Sequence, residues 1–208
     1  MSQRLILFTK YPTPGKAKTR MIPALGEAGA AALQEAMTRH LMETLVGAFE
    51  LEVRFAAAGG EGVAEMEALF GAGVYVPQGE GDLGERLERA VREAFAWGAG
   101  GVGGVVVIGA DCPQITEAYV EAAFAGLADH DVVIGPARDG GYTLIGLRAE
   151  QPGVFAGIDW GSERVFGQTM EAAAGDGLRV KVLGELDDVD RPEDLGVWEA
   201  VKAGRRRG

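Results

Sequence analysis

The sequence predicts a three-layer α/β/α sandwich built around a mostly parallel sheet. Short apolar runs of buried-strand type recur along the chain, and segments with helical spacing of apolar residues separate most of them. The composition agrees, because 47% hydrophobic and 25% charged residues are typical of a folded globular protein. With 208 residues the chain is long enough for one ordinary domain, so we expect residues 1–208 to form a single domain.

The first half of the chain begins with an apolar run at residues 5–8, which we interpret as a strand. Residues 9–23 contain three prolines and form a loop, whereas apolar residues recur at three- and four-residue spacing over residues 27–49 and predict an amphipathic helix. The same two patterns then alternate, with strands at 51–57 and 73–77 and helices at 61–70 and 83–97.

The second half opens with a β-branched run at residues 105–108, typical of a strand covered on both faces. Glycines between residues 98 and 104 separate it from the preceding helix, and they fit either a flexible turn or a tight packing site. The remaining predicted elements are helices at 116–127, 162–174 and 192–203 and strands at 131–135, 142–147 and 178–183. Residues 205–207 are a basic tail, and we expect residues 206–208 to fray.

Few residue types are available for chemistry. Cys112 is the single cysteine, which excludes an internal disulfide and a thiolate metal site. Only His40 and His130 could serve in a histidine triad, and both lie in stretches that we interpret as helix and loop surface. We therefore expect any catalysis to use Asp, Glu, Lys and Arg.

Glycine motifs carry little weight in this chain. With 33 glycines, about one match to the dinucleotide fingerprint is expected by chance, and the matches that begin at Gly79 and Gly98 do not follow the first strand. Gly15 and Lys16 lack the flanking residues of a phosphate-binding P-loop. A Rossmann dehydrogenase and an ordinary P-loop NTPase are both disfavoured.

Charge and hydropathy indicate the surroundings and the partners. The formal net charge of −11 argues against general nucleic-acid binding, and no apolar run approaches the ~20 residues of a membrane span. The chain starts directly with a strand-like segment and not with a signal peptide, so we expect a cytoplasmic protein. A homodimer is left open by the sequence.

Positive charge is concentrated in the first twenty residues, which sum to +5, whereas the remaining residues sum to −16. In a parallel α/β sheet, ligands bind beyond the carboxyl ends of strands, where this loop is predicted to lie. We therefore favour a phosphate site over a solvated basic turn. Its candidate residues are Lys10, Gly15, Lys16, Lys18 and Arg20.

An acid follows the predicted core strand at residues 105–108, at the same edge of the sheet. Asp111 there could bind Mg²⁺ together with substrate phosphates. The alternative is a helix cap, although Pro113 and Thr116 could start that helix themselves.

Four motifs in order resemble the nucleotide-diphosphosugar transferase superfamily of GT-A fold. The similarity is strongest to a small bacterial glycosyltransferase-like branch related to 2-phospholactate guanylyltransferase, and it covers about residues 4–200. The motifs are Lys10-x-Pro-x-x-Gly15-x-x-Lys18-Thr-Arg20, Gly109-Ala-Asp111-Cys-Pro113, Asp139-Gly-Gly-Tyr142-x-Leu-Ile-Gly146 and Asp188-Val-Asp190-x-Pro-Glu-Asp194-Leu.

The resemblance implies roles for individual residues. Asp111 would bind Mg²⁺ or Mn²⁺, and Asp190 would be a second metal acid, with Asp188 as a substitute and an N-cap as the alternative for Asp190. Lys18, Arg20 and Asp111 would be catalytic. The nucleotide phosphates would lie on the residues of the basic loop, and the base and ribose would lie along Gln78, Gly79, Gly81, Asp82 and Gly84.

The acceptor side implied by the resemblance is formed by Asp139, Gly140, Gly141 and Tyr142, for which a tight hairpin turn is the alternative. Trp160 and Gly161 precede Ser162, which we interpret first as a helix cap and only secondly as a contact.

The implied function is a metal-dependent transferase that uses a nucleotide or nucleotide-sugar donor and a small-molecule acceptor. The alternatives are a guanylyltransferase acting on a phosphorylated small acid and a nucleotide-binding module without catalysis. Sugar-nucleotide pyrophosphorylases have a longer glycine-rich loop, whereas Gly15 stands alone here, so nucleotidyl and glycosyl transfer both stay open.

Overall fold

A computed structural model of the chain describes residues 2–97 and 101–205, and in these residues seven strands form one sheet. The strands are β1 (Ser2–Lys10), β2 (Leu51–Ala56), β3 (Val74–Pro77), β4 (Val102–Gly109), β5 (Val132–Pro136), β6 (Tyr142–Leu147) and β7 (Val180–Val182). Their order across the sheet is β3-β2-β1-β4-β6-β5-β7.

Helices connect most of these strands, which confirms the predicted alternation. They are α1 (Ile22–Leu45), α2 (Val63–Phe70), α3 (Leu83–Phe95), α4 (Glu117–Gly126), α5 (Val165–Gly175) and α6 (Leu195–Arg205). Helix α1 begins earlier than predicted because Pro23 fits the first turn and Gly26, at φ 69°, takes up a kink. In the described part of the chain, no helix is both long and apolar enough to cross a membrane.

The sheet is mostly parallel, as predicted. Strand β1 pairs in parallel with β2 and β4, and only β6 runs antiparallel to its neighbours among the described strands. The carboxyl ends of β1, β2, β3, β4, β5 and β7 therefore lie at one edge of the sheet, which we call the carboxyl edge. The loop after β5 leads into β6 at this edge, so the loops that follow these six strands converge there.

Alternating side chains of β4 divide the core into two layers. Val106 and Ile108 pack with α1, α2 and α4, whereas Val105 and Val107 pack with α3 and α5. Helices thus cover both faces, which confirms the three-layer sandwich. A third cluster joins α6 to α1 through Trp198.

The glycines before residue 105 belong partly to β4. Gly103 and Gly104 lie within the strand, and a Cβ on Gly104 would come 2.9 Å from the Leu127 side chain. Close packing therefore explains Gly104. Residues 98–100 and the predicted frayed tail at residues 206–208 lie outside the described residues.

A buried arginine anchors β2 to α3. Arg54 pairs with Glu52 at 2.5 Å and with Glu93 at 2.7 Å, and its side chain is only 3% exposed. Glu52 is equally shielded, so the loss of Arg54 would leave a buried carboxylate without its counter-charge.

We therefore expect Arg54→Met to destabilise the protein by about 3 kcal/mol, a drop in Tm of roughly 6–12 °C in thermal unfolding. The double variant Glu52→Gln with Arg54→Met should recover part of this loss because it removes the stranded charge. An unchanged Tm in the single variant would contradict the role of this ion pair.

Candidate functional site

The ammonium group of Lys18 joins distant segments at the carboxyl edge. Its Nζ donates to the Val189 carbonyl at 2.5 Å and pairs with Asp111 Oδ1 at 2.6 Å. The Lys18 side chain is 2% exposed, so its ammonium group is shielded from water, whereas the Asp111 side chain is 53% exposed. The Val189 N–H also donates to the Asp111 carbonyl at 2.8 Å. The loop after β1, the end of β4 and the segment before α6 are thereby held together.

Arg20 makes a second contact of the same kind by pairing with Asp190. The alternative role of Asp190 as a helix cap is wrong, because the final turn starts at Arg191 and the capping carboxylate belongs to Asp194. Asp194 accepts the N–H of Asp190 at 3.1 Å and that of Arg191 at 2.7 Å. The carboxylate of Asp190 is therefore directed to a cation and not to its own helix.

The backbone of Lys18 adopts a left-handed conformation, with φ 47° and ψ 46°. Among residues 2–97 and 101–205, it is the one residue other than glycine with positive φ. Such a conformation costs about 1–2 kcal/mol in a residue with a side chain, and it persists only where surrounding contacts enforce it. Here the enforcing contacts are those of the buried ammonium group.

The basic loop also carries two lysines that are available to a ligand. Lys10 and Lys16 are exposed, and neither makes an ion pair with any described residue. The intervening Gly15 has φ 76°, and the loop is fixed by a 2.7 Å hydrogen bond from the Thr13 hydroxyl to Glu61. This bond, together with backbone N–H groups, lowers the pKa of Glu61 to about 2.

Acidic groups crowd the other side of the Lys18 contact. Asp188 is half-buried, and burial raises its pKa to about 6, with further raising by the charges of Asp139, Asp190 and Asp194. Lys18 and Arg20 neutralise Asp111 and Asp190 but leave Asp188 without such a partner among the described residues. The acidic side chains around Asp188 therefore favour the binding of an additional cation.

The two carboxylates that the resemblance assigns to a metal, Asp111 and Asp190, both lie at the carboxyl edge and each pairs with a cation. Asp111 does not cap the following helix, because the Thr116 hydroxyl accepts the N–H of Tyr119 there. Within the described residues, no group of three potential metal ligands is preassembled. Mg²⁺ commonly binds one or two carboxylates and takes its other oxygens from phosphates and water. Asp111 and Asp190 are therefore suited to a metal ion that takes its remaining ligands from the phosphates of a nucleotide.

The loop before α3 is held rigidly by its own side chains. The Gln78 side chain donates to the carbonyls of Thr9 at 2.9 Å and Arg54 at 3.0 Å, and it accepts from Arg86 at 2.8 Å. Arg89 Nη1 donates to the Gln78 carbonyl at 2.7 Å. Gln78 thus fastens the loop to β1 and β2, and its amide is fully engaged within the fold.

The other predicted residues of this loop also have structural partners. Asp82 caps α3 by accepting the Glu85 N–H at 2.9 Å. Gly84 packs so closely that a Cβ would lie 2.6 Å from the Trp160 ring nitrogen. Gly79 and Gly81 have φ 77° and 108°, so they supply the turns of the loop. The backbone of Gly79 and Gly81 is therefore the part of this loop that is available to contact a nucleotide.

The predicted acceptor segment forms a tight turn at the start of β6. Asp139 Oδ1 accepts the Gly141 N–H at 2.8 Å, and a Cβ on Gly140 would come within 2.2 Å of the Glu163 carbonyl. The Gly140 carbonyl accepts the Phe166 N–H at 2.9 Å, which ties the turn to α5. The turn therefore serves both as a hairpin and as a fixed wall of the site.

A cavity of about 190 Å³ lies beside this turn, on the face of the sheet covered by α3 and α5. Asp139, Gly141 and Tyr142 line it together with Gly109 at the end of β4. Trp160 also lines the cavity, and its ring packs edge-on against that of Tyr142 with 6.1 Å between the ring centroids. Three of the four residues predicted for the acceptor side, all except Gly140, thus line one cavity.

Several residues of the site carry no sequence signal. The Val189 carbonyl, which receives Lys18, belongs to an ordinary buried valine, and Phe8 and Leu83 of the cavity resemble core residues. Thr13 and Glu61 brace the basic loop from positions far apart in the chain. Only the crowding of acids around Asp188 could be anticipated, because three aspartates recur at residues 187, 188 and 190.

Comparisons with known proteins give a consistent result. The family described as "Uncharacterized protein conserved in bacteria (DUF2064)" matches residues 41–162. A 3-phospho-D-glycerate guanylyltransferase from Phenylobacterium zucineum is 31% identical over 201 residues, covering 91% of this chain and 87% of that protein. A 2-phospho-L-lactate guanylyltransferase from Methanopyrus kandleri is 39% identical over 101 residues, covering 46% of this chain and about half, 49%, of that protein.

Among solved structures, a candidate nucleotide-diphospho-sugar transferase from Desulfovibrio desulfuricans is similar with a TM-score of 0.86. It is 34% identical in sequence, and the match covers 95% of this chain and 87% of that chain. The predicted superfamily and fold are both confirmed by these similarities.

The crowding of acids leads to a prediction about stability. The pKa of Asp188 is higher in the folded protein, about 6, than its ordinary 3.8, so its contribution to stability falls as the pH rises between these values. Asp188→Asn removes this penalty and should stabilise the metal-free protein at pH 7.5 by about 1 kcal/mol, after allowance for solvent screening. Below pH 4 the gain should vanish.

Chemical denaturation at the two pH values measures this difference. Asp131→Asn is the matched control, because Arg179 lowers the pKa of Asp131 and its loss should not stabilise the protein. If the Asp188→Asn variant is less stable than the wild type at pH 7.5 without metal, then burial and the neighbouring acids do not destabilise the charged form of Asp188.

Proposed function

The chain belongs to the DUF2064 family of bacterial proteins, and we propose that it is a nucleotidyltransferase acting on a small acceptor. The observation that carries the proposal is the pairing of Lys18 with Asp111 and of Arg20 with Asp190 at the carboxyl edge. Cations and carboxylates that could bind a metal are thereby brought together, and this supports phosphate chemistry at this edge.

The donor is a nucleoside triphosphate whose phosphates contact the basic loop. Lys10 and Lys16 carry the unpaired charges for them, and Gly15 allows close approach of the backbone. The backbone at Gly79 and Gly81 faces the base and ribose in this proposal. Guanosine triphosphate is the first donor to test, because both curated relatives are guanylyltransferases.

Lys18 and Arg20 act as positioning residues in this scheme. Each holds one acid in place and neutralises it before the ligand arrives. Asp111 and Asp190 would bind Mg²⁺ or Mn²⁺, which supplies positive charge to the phosphate oxygens when it is bound. The donor phosphates would replace these carboxylates as partners of Lys18 and Arg20, so that the buried Lys18 ammonium keeps a counter-charge.

The reaction is an in-line displacement at phosphorus. An oxygen of the acceptor attacks the α-phosphorus, the bond to the oxygen that bridges the α- and β-phosphates breaks, and pyrophosphate leaves with that oxygen. The turn at Asp139 and Gly141 lies at the mouth of the cavity and orients the acceptor. No covalent intermediate on the protein is required.

Glycosyl transfer from a nucleotide-sugar is the second candidate, because the similar protein from Desulfovibrio desulfuricans is a candidate nucleotide-diphospho-sugar transferase. The two reactions release different products. Nucleotidyl transfer releases pyrophosphate, whereas glycosyl transfer releases a nucleoside diphosphate.

Donor binding provides the test. At a hundred times its Kd, guanosine triphosphate with Mg²⁺ should add about 2.7 kcal/mol to the stability and raise the Tm by roughly 5–10 °C. Asp111→Asn should abolish this shift and lower metal-dependent turnover by at least about a hundredfold, because it removes a carboxylate from the metal. Its Tm without ligand should fall by several degrees because the buried Lys18 loses its counter-charge, so each ligand-induced shift is measured from the variant's own ligand-free Tm.

Asp131→Asn is the control, since Asp131 precedes β5 at the opposite edge of the sheet and pairs with Arg179. Asp131→Asn should show the full increase in Tm with guanosine triphosphate and Mg²⁺. Metal-dependent release of pyrophosphate supports the first candidate, and release of a nucleoside diphosphate from a nucleotide-sugar supports the second. A normal shift and turnover in Asp111→Asn would remove that residue from the mechanism.

A further inference from the structure

We propose that the cavity beside Asp139 receives an uncharged, apolar group of the acceptor, the size of one aromatic ring or a branched chain of about six carbons. The identification of the occupant as the acceptor rests on the proposed function. The existence of an apolar binding site follows from the walls of the cavity alone.

Apolar side chains make up most of those walls. Phe8 of β1 and Val107 of β4 form the floor, Leu83 and Leu87 come from α3, and the rings of Tyr142 and Trp160 close the sides. Such surfaces bind by removing apolar area from water. Since the walls come from five separate elements, the cavity is shaped by the whole α3 and α5 layer.

The size of the cavity limits its occupant. An engineered protein cavity of about 150 Å³ binds benzene, and this one measures about 190 Å³. One ring with a short substituent therefore fits, and the substituent would reach the polar mouth at Asp139 and Ser162.

Charge excludes an anion from the interior. None of the described lining residues is Lys, Arg or His, and Asp139 is their one charged member. Arg164 follows the lining residue Ser162 by two positions in the chain, and its side chain is paired with Asp159. Burial also raises the pKa of Tyr142 far above its ordinary value, so its phenol stays neutral. A phosphate or carboxylate placed inside would lack a counter-charge.

Gly109 supplies an independent argument. Its φ does not lie in the left-handed region, and a Cβ there would meet no atom within 4 Å, so neither backbone strain nor packing requires glycine. By strand alternation Gly109 faces the same side as Val105 and Val107. Glycine at this position leaves the mouth open, two residues and at most ~7 Å of chain from Asp111.

The reacting end of the acceptor then lies outside the cavity. With its apolar group inside, the nucleophilic oxygen would project past Gly109, which is two residues before Asp111 in the chain. The relatives are guanylyltransferases of phospholactate and phosphoglycerate, which are small anions without such a group. We therefore infer an acceptor alcohol or phosphate monoester with a larger apolar body.

The full chain can be tested with 4-bromobenzyl alcohol as the probe. Its bromine quenches tryptophan fluorescence on contact, so saturable quenching should occur through Trp160 and disappear in Trp160→Phe. Equilibrium dialysis of Trp160→Phe should still detect binding. Gly109→Leu should weaken binding at least tenfold by closing the mouth, and Gly109→Ala should have a smaller effect in the same direction.

Gly196→Leu is the matched control, because Gly196 is an exposed glycine of α6 with equally open space around it. It should bind the probe like the wild type. Asp111→Asn should also keep probe binding while losing the nucleotide-dependent shift, which separates failure of this inference from failure of the proposed function.

Turnover gives the second readout. Benzyl phosphate and benzyl alcohol should be better acceptors than 3-phosphoglycerate, and Gly109→Leu should raise their KM without changing the KM of the nucleotide. The inference is overturned if the probe does not bind the wild type, if folded Gly109→Leu binds it equally well, or if 3-phosphoglycerate is preferred and insensitive to Gly109→Leu.

Discussion

The buried ammonium of Lys18 is the contact on which the arrangement of the site depends. It joins the end of β4, through Asp111, to the segment before α6, through the Val189 carbonyl. A shielded cation of this kind cannot lose its partners cheaply, because an unpaired buried charge costs several kcal/mol. The strained backbone of Lys18 and the placement of Asp111 beside the segment before α6 therefore follow from one interaction.

This contact also explains how an acidic protein can recruit a nucleotide. Two ion pairs neutralise Lys18, Arg20, Asp111 and Asp190 within the site. Lys10 and Lys16 are exposed beside these pairs, and Asp188 has no positively charged partner among the described residues. In the proposed function, a metal ion would balance the charge of the acids, and a polyphosphate would balance the charge of the lysines. The site would then be complementary to the two ligands together and less so to either alone.

Much of the fold could be predicted because it depends on local patterns. The limits of β6, residues 142–147, and the position of Asp111 after a core strand follow from apolar runs and their ends. The antiparallel direction of β6 does not, because alternation does not encode direction. The Lys18 contact and the cavity were also beyond prediction, since Val189, Phe8 and Leu83 look like core residues until the chain is folded.

The most direct test of a nucleotide and metal site at Lys18 is a crystal structure with guanosine triphosphate and Mn²⁺, using the anomalous signal of manganese. We expect a single strong peak within coordination distance of Asp111 and Asp190, with the triphosphate along Lys10 and Lys16. A manganese peak or a triphosphate bound elsewhere on the protein, with the Lys18 and Asp111 pair undisturbed, would contradict the proposal.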